Sequence, residues 1–129
     1  MKNKKLNMKL LDGKYGVCRL STDEAVPSWA FKGEFFSITK TEDELSIVCL
    51  EENISEKIKC ERNWRILKVE GPLDFSLVGI LSKISGLMAK NDISIFAIST
   101  YETDYILIKD ENIKKAIEVL NEDYYNVII

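Results

Sequence analysis

Histidine is absent from this chain of 129 residues. The commonest general base and the commonest transition-metal ligand are therefore both missing, which weighs against most hydrolytic and metal-dependent chemistry. A basic excess is lacking too: the formal net charge is -3 and the pI about 5.1. Nucleic-acid binders normally carry a basic stripe that releases phosphate counterions, so that class is set aside. Docking on an anionic membrane is disfavoured more weakly. The terminal "MKNKK" is the one basic cluster and reads as a solvated end. No apolar run approaches the roughly 20 residues of a membrane span. Asn3, Lys4, Lys5, Asn7 and Lys9 interrupt the stretch a signal peptide would keep apolar. The three cysteines, Cys18, Cys49 and Cys60, are widely spaced, are not flanked like metal ligands and lie in strand-like runs. Such cysteines behave as small buried hydrophobes, and a reducing cytoplasm is the simplest expectation. Neither Gly-x-Ser-x-Gly nor Cys-x-x-Cys occurs, and no nucleophile–base pair is visible. The chain is accordingly expected not to be an enzyme: no catalytic residue, metal or cofactor is assigned.

What is present reads most clearly in the second half. Trp64–Glu70 alternates as a strand and stops at Gly71-Pro72. Leu77, Ile80, Leu81, Ile84, Leu87 and Met88 then recur at spacings of three and four, predicting a helix over about residues 75–90. Asn91-Asp92 closes it. Ile93–Thr100 and Tyr105–Lys109 follow as strands around an acidic turn at Glu102-Thr103. Asp110 precedes a second helical face of Ile113, Ala116, Ile117 and Leu120, and Asn126–Ile129 ends the chain as a strand. The order β-α-β-β-α-β is ferredoxin-like, with both helices on one face of an antiparallel sheet.

The first half repeats this order in reduced form. "EFFSITKTEDEL" (34–45) aligns with "SIFAISTYETDY" (94–105), matching Phe36 with Phe96, Ile38 with Ile98 and Glu42 with Glu102. After a shift of one residue, "EENI" (51–54) aligns with "DENI" (110–113). A duplication of about half the chain is what a tandem domain gives. Between "YGVCRL" (15–20) and Phe35 there is room only for a short turn at "PSWAF" (27–31), with Pro27 at its start. The second helix is cut down to about Asn53–Lys57. Two units are expected, residues 1–62 and 63–129, with "KLNMKLL" (5–11) as an extra strand that helps to cover the first. Trp29 and Trp64 are expected to pack.

The junction "WRILKVEGPLDFSLVG" (64–79) offers a site. Read alone it is a turn, with Asp74 as helix N-cap. The same physics suits an α-amino acid, since helix-start amides attract a carboxylate and an aspartate attracts an ammonium. A phosphate loop is disfavoured, because one glycine precedes the helix and no lysine follows. Ser99 and Thr100 alone read as strand residues, and Glu102 and Asp104 as turn residues.

"EGPLDFSL" combined with "SIFAISTYETDY" resembles the ACT domain, in the tandem form related to CASTOR-type arginine sensors and aspartate-kinase regulatory domains. The resemblance covers nearly all of the chain beyond about residue 12. It implies two βαββαβ regulatory units, the first shortened, that bind an amino acid or similar effector between paired ACT units. By position it points to Gly71, Leu73, Asp74, Phe75 and Ser76 from the loop. From the strand it points to Ala97, Ile98, Ser99 and Thr100, with Asp104 nearby. It also implies a homodimer. The first repeat departs from the pattern, reading Ser21–Pro27 where the second reads Gly-Pro-Leu-Asp-Phe, so an equivalent site is not expected there. The rival reading is a module without ligand that dimerises or docks on a metabolic enzyme.

Overall fold

The computed structural model describes residues 6–70, 79–123 and 125–129. Two compact units are present: Gly13–Trp64, and Met1–Asp12 together with Arg65–Ile129.

In the C-terminal unit, strand β1 (Leu6–Leu10) alternates Leu6, Met8 and Leu10 toward the core with Asn7 and Lys9 outward. Of the N-terminal unit, β2 (Tyr15–Leu20), β3 (Ser37–Lys40) and β4 (Leu45–Leu50) are the strands. Strand β5 (Cys60–Val69) contributes its first half to that unit and its second half to the C-terminal one. Helix α1 (Ile80–Lys90), β6 (Phe96–Ser99), β7 (Asp104–Lys109), α2 (Asp110–Asn121) and β8 (Tyr125–Ile128) complete the chain.

The C-terminal strands run in the order β6-β7-β5-β1-β8. The leading strand therefore joins this unit rather than the first. It pairs antiparallel with β5 (Met8 opposite Val69) and parallel with β8 (Leu6 opposite Tyr125). One parallel pair thus stands in a sheet expected to be wholly antiparallel. The alternation of β1 buries Met8 completely in the helix-covered core. That core holds Leu67, Val69, Ile84, Met88, Ile106, Ile108, Ile113, Ala116 and Leu120. Burying each large aliphatic side chain is worth about 1.5–3 kcal/mol relative to exposure. Helix α2 sets Asp110 and Glu111 in its first turn, where carboxylates favour the positive helix end. Arg65 Nη1 lies 3.5 Å from Asp110 Oδ1, and Arg65 Nη2 donates to Leu11 O at 3.4 Å.

Helix α1 starts five residues later than its apolar spacing predicts. Its N-cap is Gly79, in the left-handed region at φ 81, which glycine adopts without strain. The cap expected at Asp74 lies outside the described residues. At the other end Asp92 N–H donates to Ala89 O (3.1 Å) and Ile93 N–H to Met88 O (3.0 Å), with Asp92 at φ 58. This Schellman closure is the stop expected at Asn91-Asp92.

The N-terminal unit orders its strands β3-β4-β2-β5. Its core holds Cys18, Leu20, Ala30, Leu45, Ile47, Cys49 and Ile54, with Trp29 packed against it. Two 3₁₀ turns, Ser28–Phe31 and Glu51–Asn53, stand where the other unit has helices, the shortening expected from the spacing. A bulge between Tyr15 and Val17 on the β2–β5 ladder places Asn63 at φ 69, and its N–H donates to Glu51 Oε1 at 2.8 Å. Arg62 fastens the same turn through Glu51 O (3.3 Å) and Ser55 O (3.1 Å).

Candidate functional site

The loop half of the expected corner, Gly71, Leu73, Asp74, Phe75 and Ser76, lies outside the described residues. The strand half is described. In the β6–β7 ladder Ala97 is opposite Ile106, Ile98 opposite Tyr105 and Ser99 opposite Asp104. Directly opposed residues share a face. Ala97, Ser99 and Asp104 therefore share the face of Ile106, which belongs to the helix-covered core, while Ile98 turns to the other face. Ala97, Ser99 and Thr100 are exposed, and Ile98 and Asp104 half-buried. Ser99 Oγ donates to Asp104 Oδ1 at 2.5 Å. The structure thus joins Ser99 with Asp104 and leaves Ile98 facing away from them.

The turn itself is built by Thr100 and Thr103. Thr100 N–H and Oγ1 both donate to Thr103 O, at 2.8 and 3.0 Å. Thr103 is the one buried polar side chain among the described residues, 6% exposed, and its hydroxyl donates to Val69 O. Val69 ends β5 two residues before Gly71, so the polar hairpin end is fastened to the point where the loop begins. Sequence reading assigned Thr103 only to a turn.

On the other face a cleft of about 220 Å³ is lined by Lys68, Thr100, Tyr101, Glu102, Thr103 and Tyr105. Lys68 and Tyr105 alternate with the core residues Leu67, Val69 and Ile106, which places them away from the helices. Lys68 Nζ lies 3.7 Å from Glu70 Oε2. Of the residues expected from the strand, only Thr100 lines this cleft. The available signal was Lys68 and Glu70, two opposite charges two residues apart at the end of β5.

The cysteines belong to the N-terminal core, as expected, with Cys18 and Cys49 buried and Cys60 half-buried. They are distant in sequence, yet Cys18 Sγ donates to Cys60 Sγ at 3.6 Å, and Cys18 also hydrogen-bonds Cys49. The bond to Cys49 and burial push the Cys18 thiol up, and burial pushes Cys60 up. Among the described residues these thiols are not arranged as a metal-ligating group, and no helix is long and apolar enough to cross a membrane.

A family model for the ACT domain matches residues 59–122, and a model of an N-terminal domain matches residues 13–57. The crystal structure of a protein from Agrobacterium tumefaciens is 36% identical, superposes with a TM-score of 0.91, and the match covers 96% of this chain and 92% of that one. The chain belongs to the ACT family. The human cytosolic arginine sensor for mTORC1 subunit 1 is 41% identical over 58 residues, 44% of this chain. This match spans only 18% of that protein's length. The regulatory subunit of aspartate kinase from Thermus thermophilus shares the fold, with a TM-score of 0.59, 10% identity and coverage of 91% and 93%. The ACT model thus takes in β5 through α2, the elements that carry both the hairpin and the loop of the expected corner.

Proposed function

We propose that this ACT protein is a non-catalytic regulatory module that binds an amino acid or similarly small effector at the loop–hairpin corner of its C-terminal unit. Gly71, Leu73, Asp74, Phe75 and Ser76 supply the loop side, and Ala97, Ile98, Ser99, Thr100 and Asp104 the strand side. The observation that carries this reading is the Thr103 hydroxyl on Val69 O, which ties the Ser99–Asp104 hairpin end to the start of the loop. Main-chain amides of the loop suit the effector's carboxylate, and Asp74 or Asp104 its ammonium. Arginine heads the candidates, because the human relative is named an arginine sensor. Isothermal titration against arginine and the other common amino acids tests the reading. Heat of binding is expected from one of them, weakened at least tenfold by Asp74→Ala or Asp104→Ala. No heat from any, or unchanged affinity in both variants, overturns it.

A second reading, docking on a partner protein without an effector, draws on the N-terminal unit. Phe31 and Phe36 are 54% and 39% exposed there, with ring centroids 5.7 Å apart. Exposed aromatics of this kind are frequent in protein interfaces. Light scattering across concentration distinguishes the readings. A homodimer dispersed by Phe31→Ser, in a protein that binds no amino acid, favours docking.

A further inference from the structure

We propose that Cys18 and Cys60 are a redox pair that closes into a reversible cross-strand disulfide, stapling β2 to β5 within the N-terminal unit.

The geometry begins with the ladder. Cys18 and Cys60 are direct partners across the antiparallel β2–β5 pair. Arg19 N–H donates to Lys59 O at 3.0 Å, which makes the neighbouring positions the hydrogen-bonded pair. Positions 18 and 60 are then the non-hydrogen-bonded pair, whose Cα atoms approach to about 4.5 Å and whose side chains lie closest. That separation falls inside the window of roughly 4.4–6.8 Å in which a disulfide forms without moving the backbone. The sulfurs are already 3.6 Å apart, so a small rotation of the two side chains brings them to bonding distance. Cys49 lies beside Gly16 in the β2–β4 ladder, diagonal to Cys18 rather than opposite it. Gly16 keeps the space open: a Cβ there would lie 2.6 Å from Cys60 Sγ.

Access is asymmetric. Cys18 and Cys49 are buried, whereas Cys60 is half-buried and reaches solvent. The oxidant is a peroxide. The Cys60 thiolate attacks one peroxide oxygen, an S–O bond forms, the O–O bond breaks, and the departing hydroxide takes up the thiol proton as water. Cys18 sulfur then attacks Cys60 Sγ, the S–S bond forms, the S–O bond breaks, and a second water leaves with the Cys18 proton. Two thiols and one peroxide give one disulfide and two waters. The linkage closes the 42-residue separation between Cys18 and Cys60 and restricts the unfolded chain. This matters most in a unit whose core is covered by 3₁₀ turns rather than helices.

The test exposes the full chain to hydrogen peroxide, alkylates the remaining thiols after denaturation, and maps linked peptides by mass. The expected result is a Cys18–Cys60 peptide with Cys49 alkylated, a higher thermal midpoint, and reversal of both by dithiothreitol. Burial holds the Cys60 thiol protonated at neutral pH, so the rate of closure rises with pH. Cys49→Ser should retain the link and Cys60→Ser abolish it. A Cys18–Cys49 link, a link between chains, oxidation of Cys60 without closure, or no loss of thiols overturns the proposal.

Discussion

In both units a hairpin turns on a threonine that bonds the residue three positions on. Thr41 N–H donates to Glu44 O at 2.9 Å and Glu44 N–H to Thr41 Oγ1 at 3.1 Å. Thr100 N–H donates to Thr103 O at 2.8 Å and Thr103 N–H to Thr100 Oγ1 at 3.4 Å. The ladders match as well: Ile38 faces Ile47 in one, and Ala97 faces Ile106 in the other. After the second strand the units part. Glu51 opens a three-residue 3₁₀ turn and Asp110 opens a helix of 12 residues. At the fourth turn position one unit has Glu44 and the other Thr103, whose buried hydroxyl ties the hairpin to β5. What the two units share is the turn. The proposed site lies in the unit that has helices and the Thr103 tie.

The largest test of this comparison is the matched pair Ile47 and Ile106, both fully buried. Ile47→Ala and Ile106→Ala should each cost about 2–5 kcal/mol. Ile106→Ala should cost more, since two helices packed over it collapse less readily than short turns. Urea unfolding checks this, and a larger loss at Ile47 would break the comparison. Next comes Thr103→Val, which leaves the Val69 carbonyl without its donor and should cost about 1–3 kcal/mol. Glu44→Val at the matched, half-buried position should stay within about 0.5 kcal/mol. Between these, Thr41→Val and Thr100→Val should cost about 0.5–1.5 kcal/mol each, and by similar amounts if the two turns are equivalent.

The smallest effect is one of pH and concerns the unit that holds all three cysteines. Burial raises the Cys60 thiol, so the folded chain keeps a proton that an unfolded thiol releases near pH 8.5. The unfolded state then binds fewer protons, and stability present below about pH 8.5 is lost as the pH rises. Amide hydrogen exchange should show this loss in residues 13–64 and not in the C-terminal unit. Cys60→Ala should flatten it.

Much of this was legible in the sequence because local patterns decide it. The α2 face of Ile113, Ala116 and Leu120 is buried as its spacing predicts, and the short turn behind Pro27 follows from the few residues available. Other features depend on what no local window contains. The alignment of Phe36 with Phe96 is one residue out of step with the ladders, in which Ser37 corresponds to Phe96. Aromatic identity outweighed register there, and register depends on pairing across strands. The place of β1 beside β5 and the meeting of the three thiols are equally non-local. Leu77 extends the apolar spacing past Gly79, whose left-handed backbone is the N-cap of α1, so spacing alone does not mark where the helix begins. At the candidate site, Ser99 and Asp104 were expected through the resemblance, and the structure hydrogen-bonds them to each other. Thr103 and Lys68 were missed because each looks ordinary beside its neighbours in sequence.

The central claim is that the C-terminal corner, and not its counterpart in the first repeat, receives an amino-acid effector. The most direct measurement follows backbone amide resonances while arginine, and then each other common amino acid, is titrated into the full chain. Saturable shifts concentrated in residues 70–79 and 96–104 are expected for at least one of them, with residues 37–50 unmoved. Shifts concentrated in residues 37–50, or none with any amino acid, would contradict it.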